Sequence, residues 1–171
     1  MTGLLRPARY VAGAGFGLAL ACHVATYLPV DPALFQPLVF GSFPVMFPLV
    51  LIVILAQNQR RIRIDDLIKH LSARERLTIG ALLAYVAVDF VLMLMRLPGQ
   101  PENRNGDYFM NAHGALTRIS QADYVVALQH ANRLYSGHEL AFYGLVVGMV
   151  TLVLRHDVAA SHNVVGSTEG V

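Results

Sequence analysis

The chain has few charged residues and a single cysteine. Asp, Glu, Lys and Arg make up 14% of its 171 residues, whereas soluble domains carry about 25%. This deficit comes from long apolar runs, which indicates a chain that crosses a membrane several times. Because Cys22 is the only cysteine, neither an intrachain disulfide nor a cysteine metal cluster can form. The net charge is only +2 and the basic residues gather in one loop, a pattern typical of membrane topology rather than of nucleic-acid binding.

The motifs of common catalytic and phosphate-binding sites are also missing from the sequence. It contains no glycine-rich phosphate loop, no nucleophile elbow and no His-Glu-x-x-His pair, so it does not indicate the chemistry that those motifs support. No catalytic residue is assigned. We therefore interpret the protein as a binding or accessory membrane protein, and a metal-dependent or haem- or quinone-binding membrane redox enzyme is the alternative.

Four apolar runs are long enough to cross a bilayer, which takes about 20 residues of helix. They predict an all-α integral membrane protein whose four transmembrane helices form an up-down bundle within residues 1–156. A disordered cytoplasmic tail is predicted for residues 157–171, because many of them are small or polar. The predicted crossings are residues 10–28, 34–57, 77–97 and 138–154.

The distribution of Lys and Arg predicts the orientation of the chain. With four crossings, nine of these residues fall on the side of the termini and of the 57–76 loop, and at most four fall on the other side. The positive-inside rule then places both termini in the cytoplasm and the 98–136 loop outside. The predicted location is the cell membrane, specifically a bacterial inner membrane.

The 98–136 loop is the one sizeable polar region, and it is predicted to hold a hairpin and an amphipathic helix. The residues up to Gly106 are turn-forming, and the hairpin should turn near His113-Gly114. An amphipathic helix over 121–135 is predicted to lie on the membrane surface.

Three Ser-x-x-acid patterns predict the starts of helices. Ser72 with Glu75 should begin the third crossing, and Ser120 should begin the amphipathic helix. Ser136 with Glu139 should begin the fourth crossing at the membrane surface, placing His138 and Glu139 in its first turn.

The ionisable residues within the crossings all fall in the outer half of the predicted bundle. Such residues are costly in a bilayer, normally face the bundle interior, and mark functional sites. We therefore predict a polar site in the outer leaflet. Its members are His23, Asp89, Arg96, His138 and Glu139.

Several chemistries fit these residues. One is structural, with Asp89 forming an ion pair with Arg96 or accepting a hydrogen bond from His23. Another is a zinc-like divalent metal site, since imidazole and carboxylate groups suit such ions. Its ligands would be His23, Asp89, His138 and Glu139.

The remaining alternatives are redox chemistry, a pocket for a small molecule or a lipid, and binding of a partner as an accessory subunit. Haem b would take His23 and His138 as axial ligands, and a quinone could be held by a histidine and a carboxylate. Beyond the bilayer itself, a membrane protein partner or a second copy of the chain could pack on the first helix. There Gly13-x-x-x-Gly17 offers a surface of small residues.

Overall fold

The computed structural model describes residues 2–69 and 71–166, without the side chains of residues 2, 64, 66, 67 and 157–166. Its architecture is mostly helical, with a small antiparallel sheet. Four of its five α-helices are long and apolar enough to cross a membrane. In chain order the elements are α1 (Thr2–Ala25), a 3₁₀ turn (Pro32–Leu34), α2 (Gln36–Arg60), α3 (Ile64–Lys69), α4 (Ala73–Arg96), β1 (Gln100–Arg104), β2 (Asp107–Ala112), β3 (Ala115–Arg118) and α5 (Gln121–Gly166).

Helix α5 is the centre of the helical bundle. It packs against α1, α2 and α4, and α1 also packs against α2. The main core lies where α5 meets α1 and α2, and its buried side chains include Ala12, Met46 and Val150. Helix α4 is far more exposed, since only Asp89 and Met93 of its residues are buried. In the described part of the chain, α4 therefore depends on α5 for its place in the bundle.

The start of α4 follows the predicted capping box. The Ser72 side chain accepts a hydrogen bond from the Glu75 N–H, and the Glu75 carboxylate accepts one from the Ser72 N–H, at 3.2 and 2.9 Å. Ser120 likewise accepts from the Asp123 N–H at 3.1 Å at the start of α5. Two of the three predicted helix starts are thus confirmed.

The third predicted helix start is wrong. Residues 121–166 form one helix of 46 residues, so the amphipathic segment and the fourth apolar run are not separate elements. Ser136 lies inside this helix, and its hydroxyl donates to the Asn132 carbonyl at 2.7 Å, as serine often does one turn back in a helix. The helix also continues through Gly166 into the predicted tail. Residues 167–171 lie outside the described residues.

The predicted hairpin is present, with an additional strand. Strands β2 and β3 pair across a two-residue turn at His113 and Gly114, and β1 and β2 pair across Asn105 and Gly106. All four turn residues have positive φ, between 53° and 93°, as two-residue hairpin turns of type I′ require. Residues 100–104 were expected to be turn-forming, but the Asn-Gly turn after them closes a strand pair instead. The position of His113 is thus explained by its place in the turn between β2 and β3.

Glu102 in this sheet makes the folding of the hairpins sensitive to pH. Hydrogen bonds from the Asn111 amide and from Arg104 lower the pKa of Glu102 below its ordinary value of 4.5. The lowered pKa means that the contribution of Glu102 to stability is complete above pH 4.5 and is lost as the pH falls through the lower, folded value. We expect NMR signals of the Asn111 side chain to shift in that acid range. Glu102→Gln should abolish this titration, whereas a titration that persists in the variant would contradict the assignment.

Candidate functional site

A stripe of buried side chains runs along α5 with alternating spacings of four and three residues. In the half nearer the sheet the stripe is polar, with Asn132, Ser136, Glu139 and Tyr143 each at most 1% exposed. The same spacing continues in the other half with valines. A four–three spacing keeps side chains on one helix face. The polar half of α5 therefore faces the bundle interior, where each polar group needs a partner.

His23, near the end of α1, contacts this stripe and joins it to α4. Its Nδ1 atom lies 3.0 Å from Ser136 Oγ, and its Nε2 atom lies 2.6 Å from the Tyr85 hydroxyl. The Tyr85 hydroxyl in turn lies 3.1 Å from the Tyr27 hydroxyl. Both ring nitrogens of this buried histidine therefore have hydrogen-bond partners, and the chain of contacts leads from α5 to two partly exposed tyrosines.

Asp89 lies one helical turn after Tyr85 and faces the same region. It is 7% exposed, yet its carboxylate makes no hydrogen bond or ion pair with any residue that the structure describes. A Cβ atom added at Gly137 would lie 3.1 Å from Asp89 Oδ2 and 3.6 Å from His23 Cε1. The missing side chain of Gly137 thus lets the carboxylate and the imidazole lie side by side against α5.

These residues define what we call the Asp89–His23 cleft. It lies where side chains of α1 and α4 meet on α5, and the backbones of α1 and α4 have at most a marginal contact in the described part of the chain. A carboxylate without a protein partner can accept hydrogen bonds from a ligand or pair with a cation. The residues of the cleft are His23, Tyr27, Tyr85, Asp89 and Gly137.

Arg133 fixes the end of α1 next to the cleft. Its guanidinium donates to the Thr26 carbonyl and hydroxyl at 2.9 and 3.1 Å, and it lies 3.9 Å from the centre of the Tyr27 ring. Gln129 donates to the same carbonyl at 2.7 Å. Carbonyls at the end of a helix lack intrahelical partners, and α5 supplies donors to one of them. The position of His23 is therefore set by α5 through several bonds.

Glu139 belongs to a different polar position, on the α2 side of α5. Its Oε1 atom lies 2.6 Å from Ser42 Oγ, and the Tyr143 hydroxyl donates to the Ser42 carbonyl at 2.7 Å. The Glu139 side chain is fully buried, and its Oε2 atom has no hydrogen-bond partner. This carboxyl group contacts α2 rather than the cleft residues of α1 and α4.

The remaining predicted site residues lie elsewhere. His138 is half-buried, its Nδ1 atom is 2.7 Å from the Leu134 carbonyl, and its ring packs edge-on against Phe90. Arg96 is exposed in the last turn of α4, and among the described residues it forms no ion pair with Asp89. Asp89 and Arg96 are separated by two helical turns along α4, which is about 10 Å. The predicted ion pair is therefore absent from the described chain.

The structure does not bring the four predicted metal ligands together. Among the side chains that the structure describes, no three of His, Cys, Asp or Glu are placed to hold a metal ion. His23 and Asp89 are neighbours, but Glu139 bonds to Ser42 and His138 packs on Phe90. His138 and Glu139 point about 100° apart around α5, and they contact Phe90 of α4 and Ser42 of α2 rather than the residues of the cleft.

The predicted haem ligands, His23 and His138, already have other hydrogen-bond partners. The two ring nitrogens of His23 are occupied by Ser136 and Tyr85, and Nδ1 of His138 by a backbone carbonyl. An axial ligand needs a free ring nitrogen, so His23 would have to exchange one of its contacts. The described geometry therefore gives no support to a haem held between His23 and His138.

Sequence reasoning missed Tyr85, Tyr27 and Ser42 as partners of the ionisable residues. The signal for Tyr85 was its position four residues before Asp89, which places both on one face of a helix. No local pattern pointed to Ser42, which meets Glu139 only through the packing of α2 on α5.

Neither family models, nor curated proteins, nor solved structures gave a match to this chain.

Proposed function

We propose that this chain is a multi-pass membrane protein that binds a lipophilic small molecule at the Asp89–His23 cleft. The ligand carries a cationic or hydrogen-bond-donating head and an apolar tail. Binding, without turnover, is the function. The four long helices cross the bilayer up and down, both termini are cytoplasmic, and the sheet lies outside.

The topology rests on the charges of the loops. Six Lys and Arg residues lie in the segment 57–76, from the last turn of α2 to the first turn of α4. Basic loops of this kind stay in the cytoplasm. The sheet, at the opposite ends of α4 and α5, is then on the outer face of a bacterial inner membrane, and the cleft lies in the outer leaflet.

The observation that carries the proposal is the unpartnered carboxylate of Asp89. A charged group at membrane depth is costly and normally pairs with another group. Asp89 is buried beside His23 and against Gly137, yet none of the described residues supplies it with a donor. A ligand that donates to Asp89 would remove this cost.

The surroundings of the cleft suit a ligand that arrives through the bilayer. The Tyr27 and Tyr85 side chains are 55% and 44% exposed, so the hydroxyl pair at the mouth is reachable from between α1 and α4. Large apolar side chains such as Val88 and Leu92 cover the outer surface of α4. A tail can lie along this surface while the head reaches Asp89.

A binding comparison in detergent or nanodiscs tests the proposal. A fluorescent long-chain alkylamine should bind the protein more tightly than the matching alkyl alcohol, because only the amine is a cation. Asp89→Asn should weaken amine binding by about tenfold or more, since a hydrogen bond to a charged group contributes about 1.5–3 kcal/mol. Alcohol binding should change little.

The matched control is Asp107→Asn, which also removes one carboxylate but lies in the sheet beside Arg118. This variant should bind the amine as the unmodified protein does. Gly137→Val should weaken both ligands, because its side chain fills the space beside Asp89 and His23. Equal affinities for amine and alcohol, unchanged by Asp89→Asn, would refute the proposal.

A quinone is the second candidate ligand, favoured by the contacts of His23 with Tyr85 and of Tyr85 with Tyr27. A quinone carbonyl accepts hydrogen bonds, so it would depend on these hydroxyls rather than on a negative charge. A short-chain quinone should therefore lose affinity with Tyr85→Phe and keep it with Asp89→Asn. The amine should show the opposite dependence.

An accessory role in a larger assembly is compatible with ligand binding. A Cβ atom added at Gly13 or Gly17 would meet no atom within 4 Å, so this glycine pair is not used for packing among the described residues. The pair can serve as the contact surface for a partner helix or a second copy of the chain.

A further inference from the structure

A second groove lies between α4 and α5 at the opposite end of the helices from the cleft. Its inner part has a volume of about 210 Å³ and an apolar lining that includes Leu82, Leu145 and Met149. It continues into a part of about 340 Å³ at the start of α4, where Arg74 and Arg155 are among the lining residues. The groove is therefore apolar along its length and basic at its mouth.

The glycines of α5 determine the shape of this groove. A Cβ atom at Gly144 would lie 3.1 Å from Leu82 Cδ2, so the two helices are close together there. A Cβ atom at Gly148, one turn further along, would meet nothing within 4 Å. The helices thus leave open space at Gly148, which lines both parts of the groove.

The described residues that line the mouth of the groove carry a net positive charge. The Arg155 guanidinium donates to Glu75 Oε1 at 2.8 Å, and the other Glu75 oxygen bonds to Ser72. The Arg74 side chain has no acidic partner among the residues that the structure describes. Two arginines and one glutamate leave a net charge of +1, which matches the single negative charge of a phosphodiester.

We propose that this groove binds one anionic phospholipid. The phosphodiester lies at the mouth beside Arg74 and Arg155, and one acyl chain lies along the apolar part past Gly148. Arg74 is in the first turn of α4, where a membrane-spanning helix meets the headgroups, and the apolar part extends from there into the span. The groove thus has the polarity and the direction of a phospholipid, whereas a free phosphate would occupy only its mouth.

The experiment compares phosphatidylglycerol with phosphatidylcholine on the intact protein, delipidated in neutral detergent. Native mass spectrometry counts the lipids that remain bound as each is titrated. We expect one phosphatidylglycerol to be retained in preference to phosphatidylcholine. Arg74→Gln should weaken its retention about fivefold, since one basic residue near a headgroup contributes about 1 kcal/mol. Gly148→Leu should weaken retention of phosphatidylglycerol by filling the open space.

Two control variants separate this groove from a general basic surface. Arg76→Gln removes the same charge from a residue about 200° around α4 from Arg74, outside the groove lining. Gly80→Leu adds the same side chain to α4 at a glycine with open space around it. Both should retain phosphatidylglycerol as the unmodified protein does. Slow labelling of the buried Cys22 thiol checks that each variant is folded.

Three results would overturn the proposal. Equal retention of the two lipids would show that the mouth does not select a charge. Equal losses for Arg76→Gln and Arg74→Gln would indicate a diffuse basic surface. Displacement of the lipid by millimolar inorganic phosphate would show that the mouth alone binds an anion. None of these depends on the Asp89–His23 cleft, which lies at the other end of α4 and α5.

Discussion

Gly15→Ala is expected to lower the free energy of unfolding by about 2–3 kcal/mol, a typical cost of overpacking a core. The added Cβ atom would lie 2.5 and 2.6 Å from Cε1 and Cζ of Tyr143. This ring cannot simply move aside, because it is fully buried and its hydroxyl donates to the Ser42 carbonyl at 2.7 Å. Relieving the clash therefore requires α1 to move away from α5, or the bond to Ser42 to break.

The single cysteine provides the measurement. Cys22 is buried and has no disulfide partner, so a thiol-reactive fluorophore labels it when the bundle opens. The midpoint of thermal unfolding in detergent should be clearly lower for Gly15→Ala than for the unmodified protein. Gly13→Ala and Gly80→Ala are the controls, since added Cβ atoms there meet nothing within 4 Å. They should leave the midpoint unchanged or raise it, because alanine favours a helix over glycine by about 0.5–1 kcal/mol. A midpoint for Gly15→Ala equal to those controls would mean that α1 and α5 are not packed as described.

The long helices could be predicted because hydrophobicity and length suffice to identify them. Each predicted crossing overlaps a helix. Most helix ends lie beyond the predicted bounds, and α1 and α4, for example, begin earlier, at Thr2 and Ala73. Polar residues at the ends of a crossing break the apolar run without breaking the backbone hydrogen bonds. Composition therefore identified the helices better than it identified their ends.

The capping patterns show where a local signal fails. Ser72 and Ser136 are each followed by a glutamate three residues later, but only Ser72 begins a helix. Tertiary packing distinguishes the two cases. Residues 121–166 form one helix, and its buried residues keep a four–three spacing from Asn132 through Ser136 and Glu139 to Val153. Glu139 was therefore available to face the core, where a cap would have placed it in solvent.

The polar site could be predicted in part. Depth along the helices indicated that His23 and Asp89 lie at a similar level, and the structure places them side by side against Gly137. Depth says nothing about the direction in which a side chain points around its helix. For this reason the same argument also included His138 and Glu139, which lie on other faces of α5. Partners such as Tyr85 depend on the rotation of α4, which is set by tertiary packing.

Glu139→Met is expected to raise the thermal stability of the protein. The carboxyl group is fully buried with Oε2 unpartnered, and an unsatisfied buried polar group costs about 1–3 kcal/mol. Methionine has a similar length and no strongly polar atom, so it removes this cost without opening a large cavity. Ser42 keeps an acceptor in this variant, because its hydroxyl lies 3.1 Å from the Val39 carbonyl. Labelling of Cys22 during heating measures the change.

Leu128→Met is the matched control, since Leu128 is an apolar residue of α5 that is 1% exposed. It should leave the unfolding midpoint unchanged or lower it, with a cost below about 1.5 kcal/mol. If the midpoint rises for Glu139→Met but not for Leu128→Met, the chain retains a destabilising carboxyl group in its core. Proteins retain such groups where they serve function rather than folding. A lower midpoint for Glu139→Met would instead assign Glu139 a structural role, in which its bond to Ser42 holds α2 against α5. Glu139→Gln then discriminates further, because its amide can still bond to Ser42 and should preserve stability only if that bond is what matters.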